Sequence, residues 1–226
     1  MPFDYERHTR SFYQNDRVAE QYHGLFTATG GIKNLPFRVV ARRERRTVET
    51  LLSAISHENV LDIPAGTGKL AEVFARLGSR VTACDISSNM LEIAKGEYQK
   101  IKYRKVDFLI ADATDLSRFE NIGFDSVVCL RLMHRVPAAV RRQMLREFSR
   151  VARYLIVSFG VENTYHRIRR SLRNKMFGGL ANNMCFCSLA SARSEIEPLF
   201  EILREVWIAP LLSRELVFLL KSKAAI

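Results

Sequence analysis

The chain has 226 residues, 47% of them hydrophobic and 26% charged, which excludes a disordered polypeptide and fits one larger domain better than two. Its 35 lysines and arginines against 24 acids give a formal charge of +11, which suggests an anionic partner (nucleic acid, anionic lipid, or a phosphorylated or carboxylated substrate) unless it serves solubility alone. The apolar run from Val206 to Leu212 is far too short to span a membrane, the first residues lack the apolar stretch of a signal peptide, and Cys84, Cys129, Cys185 and Cys187 have neither zinc-finger nor thioredoxin spacing, so they read as reduced thiols in a cytoplasmic protein.

Residues 1–36 are aromatic and polar and read as one or two short helices and a loop. Over 37–56, Val40, Val48, Leu51, Leu52 and Ile55 have near-helical spacing, with Arg42, Arg43, Arg45 and Arg46 clustered at one end. Together these segments make an N-terminal helical cap or lid, 1–56. From Val60 the pattern changes to short apolar runs alternating with helical stretches. Strands are predicted at 59–63, 80–84, 106–110, 126–130 and 154–159, with helices at 69–77, 90–100 and 138–151. On the last helix Val140, Met144, Leu145, Phe148 and Val151 form the apolar face, which leaves Arg141, Arg142 and Arg146 as solvent charges. Alternation of this kind predicts a Rossmann-like, doubly wound sheet covered on both faces, over a core of 57–160. A basic insertion follows at 161–188, then a helix at 189–199. The runs 202–208 and 215–221 are interrupted by Pro210 and lie too close for a helical crossover, so they pair antiparallel. The expectation is a seven-stranded sheet, mostly parallel, ending in a C-terminal hairpin within 189–226.

The strongest signal is Val60-Leu61-Asp62-Ile63-Pro64-Ala65-Gly66-Thr67-Gly68-Lys69-Leu70, an apolar strand, a tight glycine loop and a helix start. Gly66 and Gly68 permit positive φ and close approach of backbone N–H groups to a ligand. A P-loop is excluded, because GxxxxGK[ST] would require glycine where Ile63 stands and serine or threonine where Leu70 stands. A dinucleotide also fits the loop, since Gly66 to Ala71 matches GxGxx[GA] and Asp85 ends the next strand. The surrounding acids favour S-adenosylmethionine instead. Asp62 would repel a pyrophosphate but suits an ammonium. Asp85 can accept two ribose hydroxyls, Met90 can lie against adenine, and Asp112-Ala113 offers an acceptor and an N–H to the adenine edge. Three acids at the ends of consecutive parallel strands converge on one crevice.

Residues 59–160 resemble a class I S-adenosylmethionine-dependent methyltransferase of the small-molecule type. The resemblance rests on Asp62-x-Pro64-x-Gly66-x-Gly68, Asp85-Ile86-Ser87-x-x-Met90, Asp112-Ala113-x-x-Leu116 and Phe124-Asp125-Ser126-Val127-Val128. It implies Gly66, Gly68, Asp85 and Asp112 as cofactor contacts. The chain departs from the family pattern in carrying Pro64 where the first loop glycine is common. The full candidate cofactor set is Asp62, Pro64, Ala65, Gly66, Gly68, Asp85, Ile86, Met90, Asp112, Ala113, Leu130 and Arg131.

Methyl transfer from a sulfonium mainly needs alignment and exclusion of water, with a base only where the acceptor must lose a proton. The family resemblance brings the segment after the fourth strand, Cys129 to Pro137, past the methyl group. His134 is the candidate base there, because imidazole titrates near neutrality, and a loop-orienting role is its alternative. Tyr13, Tyr22, His134, Arg135 and Arg170 are the candidate acceptor-binding residues, with Arg170 in the basic stretch after the fifth strand. His8, His23, His57 and His166 read as surface residues. No His/Cys/Asp spacing suggests a metal. The expected activity is methylation of an O or N atom of a small or lipid-linked, anionic acceptor, with an anionic membrane surface as a further partner. The alternatives are an RNA methyltransferase, suggested by the charge, a non-catalytic S-adenosylmethionine-binding assembly protein, and an NAD-dependent oxidoreductase.

Overall fold

The computed structural model describes residues 35–162, 165–166 and 184–225. Strands β1 (Asn59–Asp62), β2 (Arg80–Asp85), β3 (Val106–Ile110), β4 (Phe124–Cys129), β5 (Ala152–Gly160), β6 (Phe200–Trp207) and β7 (Glu215–Ser222) form one sheet in the order β3-β2-β1-β4-β5-β7-β6. The first five are mutually parallel, and β7 runs antiparallel to both β5 and β6. This is the doubly wound sheet with a terminal hairpin that the strand–helix alternation predicts. Strand order reverses beside β1, whose neighbours are β2 and β4, so the crevice of a doubly wound sheet opens at its carboxyl end.

The strands read as continuous apolar runs because both faces are covered, and residue parity divides the core in two. Val60, Val128, Ile156, Val217 and Leu219 face one layer, with helices α1 (Leu35–Leu52), α2 (Ala71–Leu77) and α3 (Ser88–Lys100) packed there through Val48, Leu51, Leu52, Phe74, Leu91 and Tyr98. Leu61, Val127, Leu155, Val157, Leu216 and Phe218 face the other, against helices α4 (Ala138–Val151) and α5 (Leu189–Ile196) through Met144, Leu145, Phe148, Ala192 and Ile196. The register of the last pair matters for the site. Gly160 lies opposite Glu215, so the start of β7 sits at the carboxyl end of the parallel strands.

Two surface expectations are corrected. Arg142 and Arg146 are exposed, but Arg141 is buried at 4% exposure. Its Nε and Nη2 donate to Glu195 at 2.8 and 2.7 Å, and its Nη1 donates to the Val136 carbonyl at 3.0 Å. The sequence conceals this because Glu195 lies far along the chain, on α5. His166 is likewise buried, with Nε2 donating to the Pro210 carbonyl at 2.9 Å. His57 is half-buried. His8, His23 and the stretch from Arg167 to Lys175 lie outside the described residues.

Breaking a buried ion pair leaves one uncompensated charge, so Arg141→Met should cost about 3–5 kcal/mol. Adding Glu195→Leu should recover part of that loss. Urea unfolding of the two variants checks this. Equal stability of Arg141→Met and wild type would contradict the pairing.

Candidate active site

Strands β1 and β2 each end on an acid, and a third acid, Asp112, follows β3 by two residues. Asp62 and Asp85 are buried. The Asp85 carboxylate joins two loops, with Oδ2 accepting from the Gly66 N–H at 2.9 Å and Oδ1 from the Ser87 N–H at 3.0 Å. The Ala65 N–H donates to the Cys84 carbonyl at 2.8 Å, so the glycine loop is laced to the end of β2. The Ile63–Pro64 peptide bond is cis, and Gly66 takes φ +54°. A Cβ on Gly66 would meet no atom within 4 Å, because the space before it is the cavity.

Gly68 is also constrained by packing. It does not line the cavity, and at φ +74° a Cβ would lie 3.0 Å from the Ala94 Cα on α3. Close helix packing therefore requires glycine here. Ser87 caps α3, accepting from the Met90 N–H at 3.3 Å, and this sets Met90 into the cavity wall. Asp112 Oδ1 accepts from the N–H and hydroxyl of Thr114 at 2.9 and 2.8 Å, which fixes the turn that presents Asp112 and Ala113.

After β4 the chain turns at Arg131, with φ +60° and its N–H donating to Ser158 Oγ at 2.7 Å. The Arg131 guanidinium donates twice to Glu44 on α1, at 2.8 and 2.7 Å, and lies 3.8 Å from Glu215. This buried cluster joins α1, the β4 loop and the start of β7. Burial, with Glu44 nearby, pushes the Glu215 carboxyl up to about 8. Lys69 is held well below the usual ammonium range, first by burial and then by Arg131. Asp62 is held well above the usual carboxylate range by burial, with the Asp85 charge adding to it. Asp85 is also raised by burial, against the lowering effect of the Ser87, Gly66 and Ile86 N–H groups.

One cavity is therefore lined by Asp62, Pro64, Ala65, Gly66, Asp85, Ile86, Met90, Asp112, Ala113, Leu130 and Arg131, the whole expected cofactor set except Gly68. Of the acceptor candidates, Arg135 lines it. Tyr13, Tyr22 and Arg170 lie outside the described residues.

His134 does not line the cavity. The 3₁₀ turn Met133–Arg135 buries Met133, while the His134 ring stacks on Phe186, centroids 6.1 Å apart, with its Cβ against Gly160. Burial, then the charges of Arg135 and Arg131, push its imidazole down to about 3. The sequence reading missed Ala41, Glu44, Arg45, Lys69 and Met144, which also line the cavity. A signal for the first three was present. Positions 41, 44, 45 and 48 make one helical stripe, and two charges on an inward stripe are anomalous. Among the described residues, no group of three or more His, Cys, Asp or Glu is arranged to hold a metal, and no helix is long and apolar enough to cross a membrane.

Sheet order, glycine loop and converging acids define a Rossmann-like core, and residues 60–154 match the family model described as a methyltransferase domain. The resemblance to S-adenosylmethionine-dependent methyltransferases therefore stands. The chain is 34% identical over 145 residues to a demethylmenaquinone methyltransferase of Paenarthrobacter aurescens, covering 64% of this chain and 55% of that protein. It is 32% identical over 84 residues to a ubiquinone biosynthesis O-methyltransferase of Xanthomonas campestris, covering 37% and 35%. The matches thus span only a third to about half of these relatives. In fold it resembles the magnesium protoporphyrin IX methyltransferase of Synechocystis PCC 6803, crystallised with bound SAH, at a TM-score of 0.82 and 18% identity over 95% of this chain and 98% of that one.

A raised carboxyl pKa has a definite consequence for stability. Folded Asp62 holds its proton more tightly than unfolded Asp62, so folding stability falls as pH rises from about 4 toward the folded value, and the loss is complete above it. Asp62→Asn removes that loss. Its Tm should exceed wild type at pH 8, with the gain shrinking toward pH 4. Scanning calorimetry at both pH values tests this, and a lower Tm at pH 8 would contradict it.

Proposed function

We propose that the protein transfers a methyl group from S-adenosylmethionine to an O or N atom of a small or lipid-linked acceptor in the cytoplasm. The observation that carries the reading is the convergence of Asp62, Asp85, Asp112 and the open face of Gly66 on one cavity at the switch point. The residues fit the donor's chemistry. Asp85 spends one lone-pair site of each oxygen on backbone N–H groups, which leaves acceptor capacity for ribose hydroxyls. Met90 and Ile86 supply an apolar wall for a base, and Asp112 with Ala113 supplies polar groups for its edge. Asp62 has no side-chain hydrogen bond among the described residues, and its burial suits it to an ammonium. The donor supplies a methyl sulfonium that is already activated. The protein's part is to hold the reacting atoms in line and keep water out. His134 has no part as a base in this reading, because its imidazole is shielded and resists the proton that a base must take up.

The quinone-pathway names of the two relatives support a small, lipid-linked acceptor. Arg135 at the cavity wall supports anionic character in it. An anionic membrane surface would bring such an acceptor to the site, and the charge of +11 suits that partner.

The test is transfer of label from methyl-labelled S-adenosylmethionine to reduced, short-chain quinone precursors. Label should enter the organic phase in proportion to enzyme. Asp85→Ala should lower kcat/KM for the donor by about 30-fold or more, as expected for loss of charge-assisted hydrogen bonds. Label found in added RNA and absent from the quinone series would overturn the acceptor class.

A further inference from the structure

The segment that joins β4 to α4 is held in two halves. Its first half is anchored forward: the Arg131 N–H donates to Ser158 Oγ on β5, and the Arg131 guanidinium donates to Glu44 on α1. Its second half, Leu132 to Pro137, is anchored from behind by Arg141. Nη1 of Arg141 donates to the Val136 carbonyl at 3.0 Å and reaches the Cys185 and Met133 carbonyls at 3.4 and 3.5 Å. Its other two nitrogens donate to Glu195 on α5. The Cys185 N–H in turn donates to the His134 carbonyl at 2.7 Å, and the Cys187 N–H donates to the Gly160 carbonyl at 3.1 Å. Residues 185–187 thus back the turn, with Phe186 stacked on the His134 ring. Gly160 leaves room for this packing, since a Cβ there would stand 2.6 Å from the Phe186 ring and 2.7 Å from the His134 Cβ. In the same turn, Leu132 and Arg135 line the cavity.

We infer that Arg141 is a positioning residue for the acceptor, holding Leu132 and Arg135 where methyl transfer needs them. The inference rests on the acceptor reading above and deepens it. Three carbonyls from two distant segments converge on one nitrogen, and two parallel hydrogen bonds to Glu195 fix the plane of the guanidinium that carries it. Lysine would bring the charge but not a fork that meets Glu195 and those carbonyls together. An in-line displacement is sensitive to small shifts of the wall that meets the acceptor, and a misplacement of about 1 Å can lower its rate on the order of 100-fold. The donor side does not depend on Arg141, because Arg131 is anchored to β5 and α1 instead. The two halves of one loop therefore serve two reactants and can be uncoupled.

The test separates position from stability. Combining Arg141→Met with Glu195→Leu removes the buried pair whole, which spares the fold an uncompensated charge. Gly160→Ala presses on His134 and Phe186 without touching any charge. In both variants the Kd of S-adenosylhomocysteine, read by titration calorimetry, should stay within about twofold of wild type, while kcat/KM for reduced, short-chain quinone precursors at saturating donor falls about 10-fold or more. Arg141→Lys should fall between wild type and the double variant, because a point charge remains beside Glu195 without the fork. Equal losses of donor affinity and acceptor kcat/KM would show that the pair only supports the fold and would overturn the inference. Unchanged acceptor kinetics would overturn it as well. A wild-type chain that methylates none of the quinone series would overturn the acceptor reading, and hydrogen exchange then decides the inference. The amides of Arg135 and Cys185 must exchange faster in the double variant while that of Arg131 does not, and equal protection would overturn it.

Discussion

The site is organised by one buried carboxylate. Asp85 ends β2, and its two oxygens take the N–H of Gly66 from the first loop and the N–H of Ser87 from the second. Without it, both N–H groups would need other partners at a position where little water reaches them. The capping of α3 by Ser87, and with it the seat of Met90, follows directly from the second of these bonds. The positive φ of Gly66 follows from the first, because the N–H can reach Asp85 only while the loop turns its open face to the cavity. The rest of the floor is a consequence of sheet order. Parallel strands reversing beside β1 bring the ends of β1, β2 and β4 to one edge, and apolar parity on both faces leaves the edge as the place where polar groups gather.

The wall opposite the loop depends on charge. Glu44, Arg131 and Glu215 come from α1, the β4 loop and the start of β7, and Lys69 lies beside them at the cavity. Isolated, each would be expensive to bury. Together they tie the N-terminal helix to the sheet at the level of the cavity, so the cavity is shaped by elements distant in sequence. Asp62 stands apart from this balance. Its carboxyl is pushed well up by burial, so its charged form is disfavoured there unless a cation lies beside it.

Much of this was legible in the sequence, and the reasons are specific. Short apolar strands bounded by Gly66, Asp85 and Asp112 are local signals, so both the core and the floor of the cavity could be read from consecutive residues. The hairpin was legible because the chain between the β6 and β7 runs is too short for a crossover. Residues whose meaning depends on a distant partner were not legible. Arg141 looks like surface charge until Glu195 of α5 is placed beside it. The stacking of Phe186 on the His134 ring also joins residues far apart in the chain. The closeness of Gly68 to the backbone of α3 is likewise invisible in the loop motif. Glu44 and Arg45 were hidden within a run of arginines, although helical phase alone sets them inward.

The most direct measurement is calorimetric titration of the purified chain with S-adenosylhomocysteine, with NADH in parallel. The loop admits a dinucleotide by its glycines alone, whereas the buried Asp62 beside it disfavours a pyrophosphate and favours an ammonium. Micromolar binding of S-adenosylhomocysteine, on the order of −8 kcal/mol, with no heat from NADH is the predicted result. Binding of NADH without binding of S-adenosylhomocysteine would contradict the account.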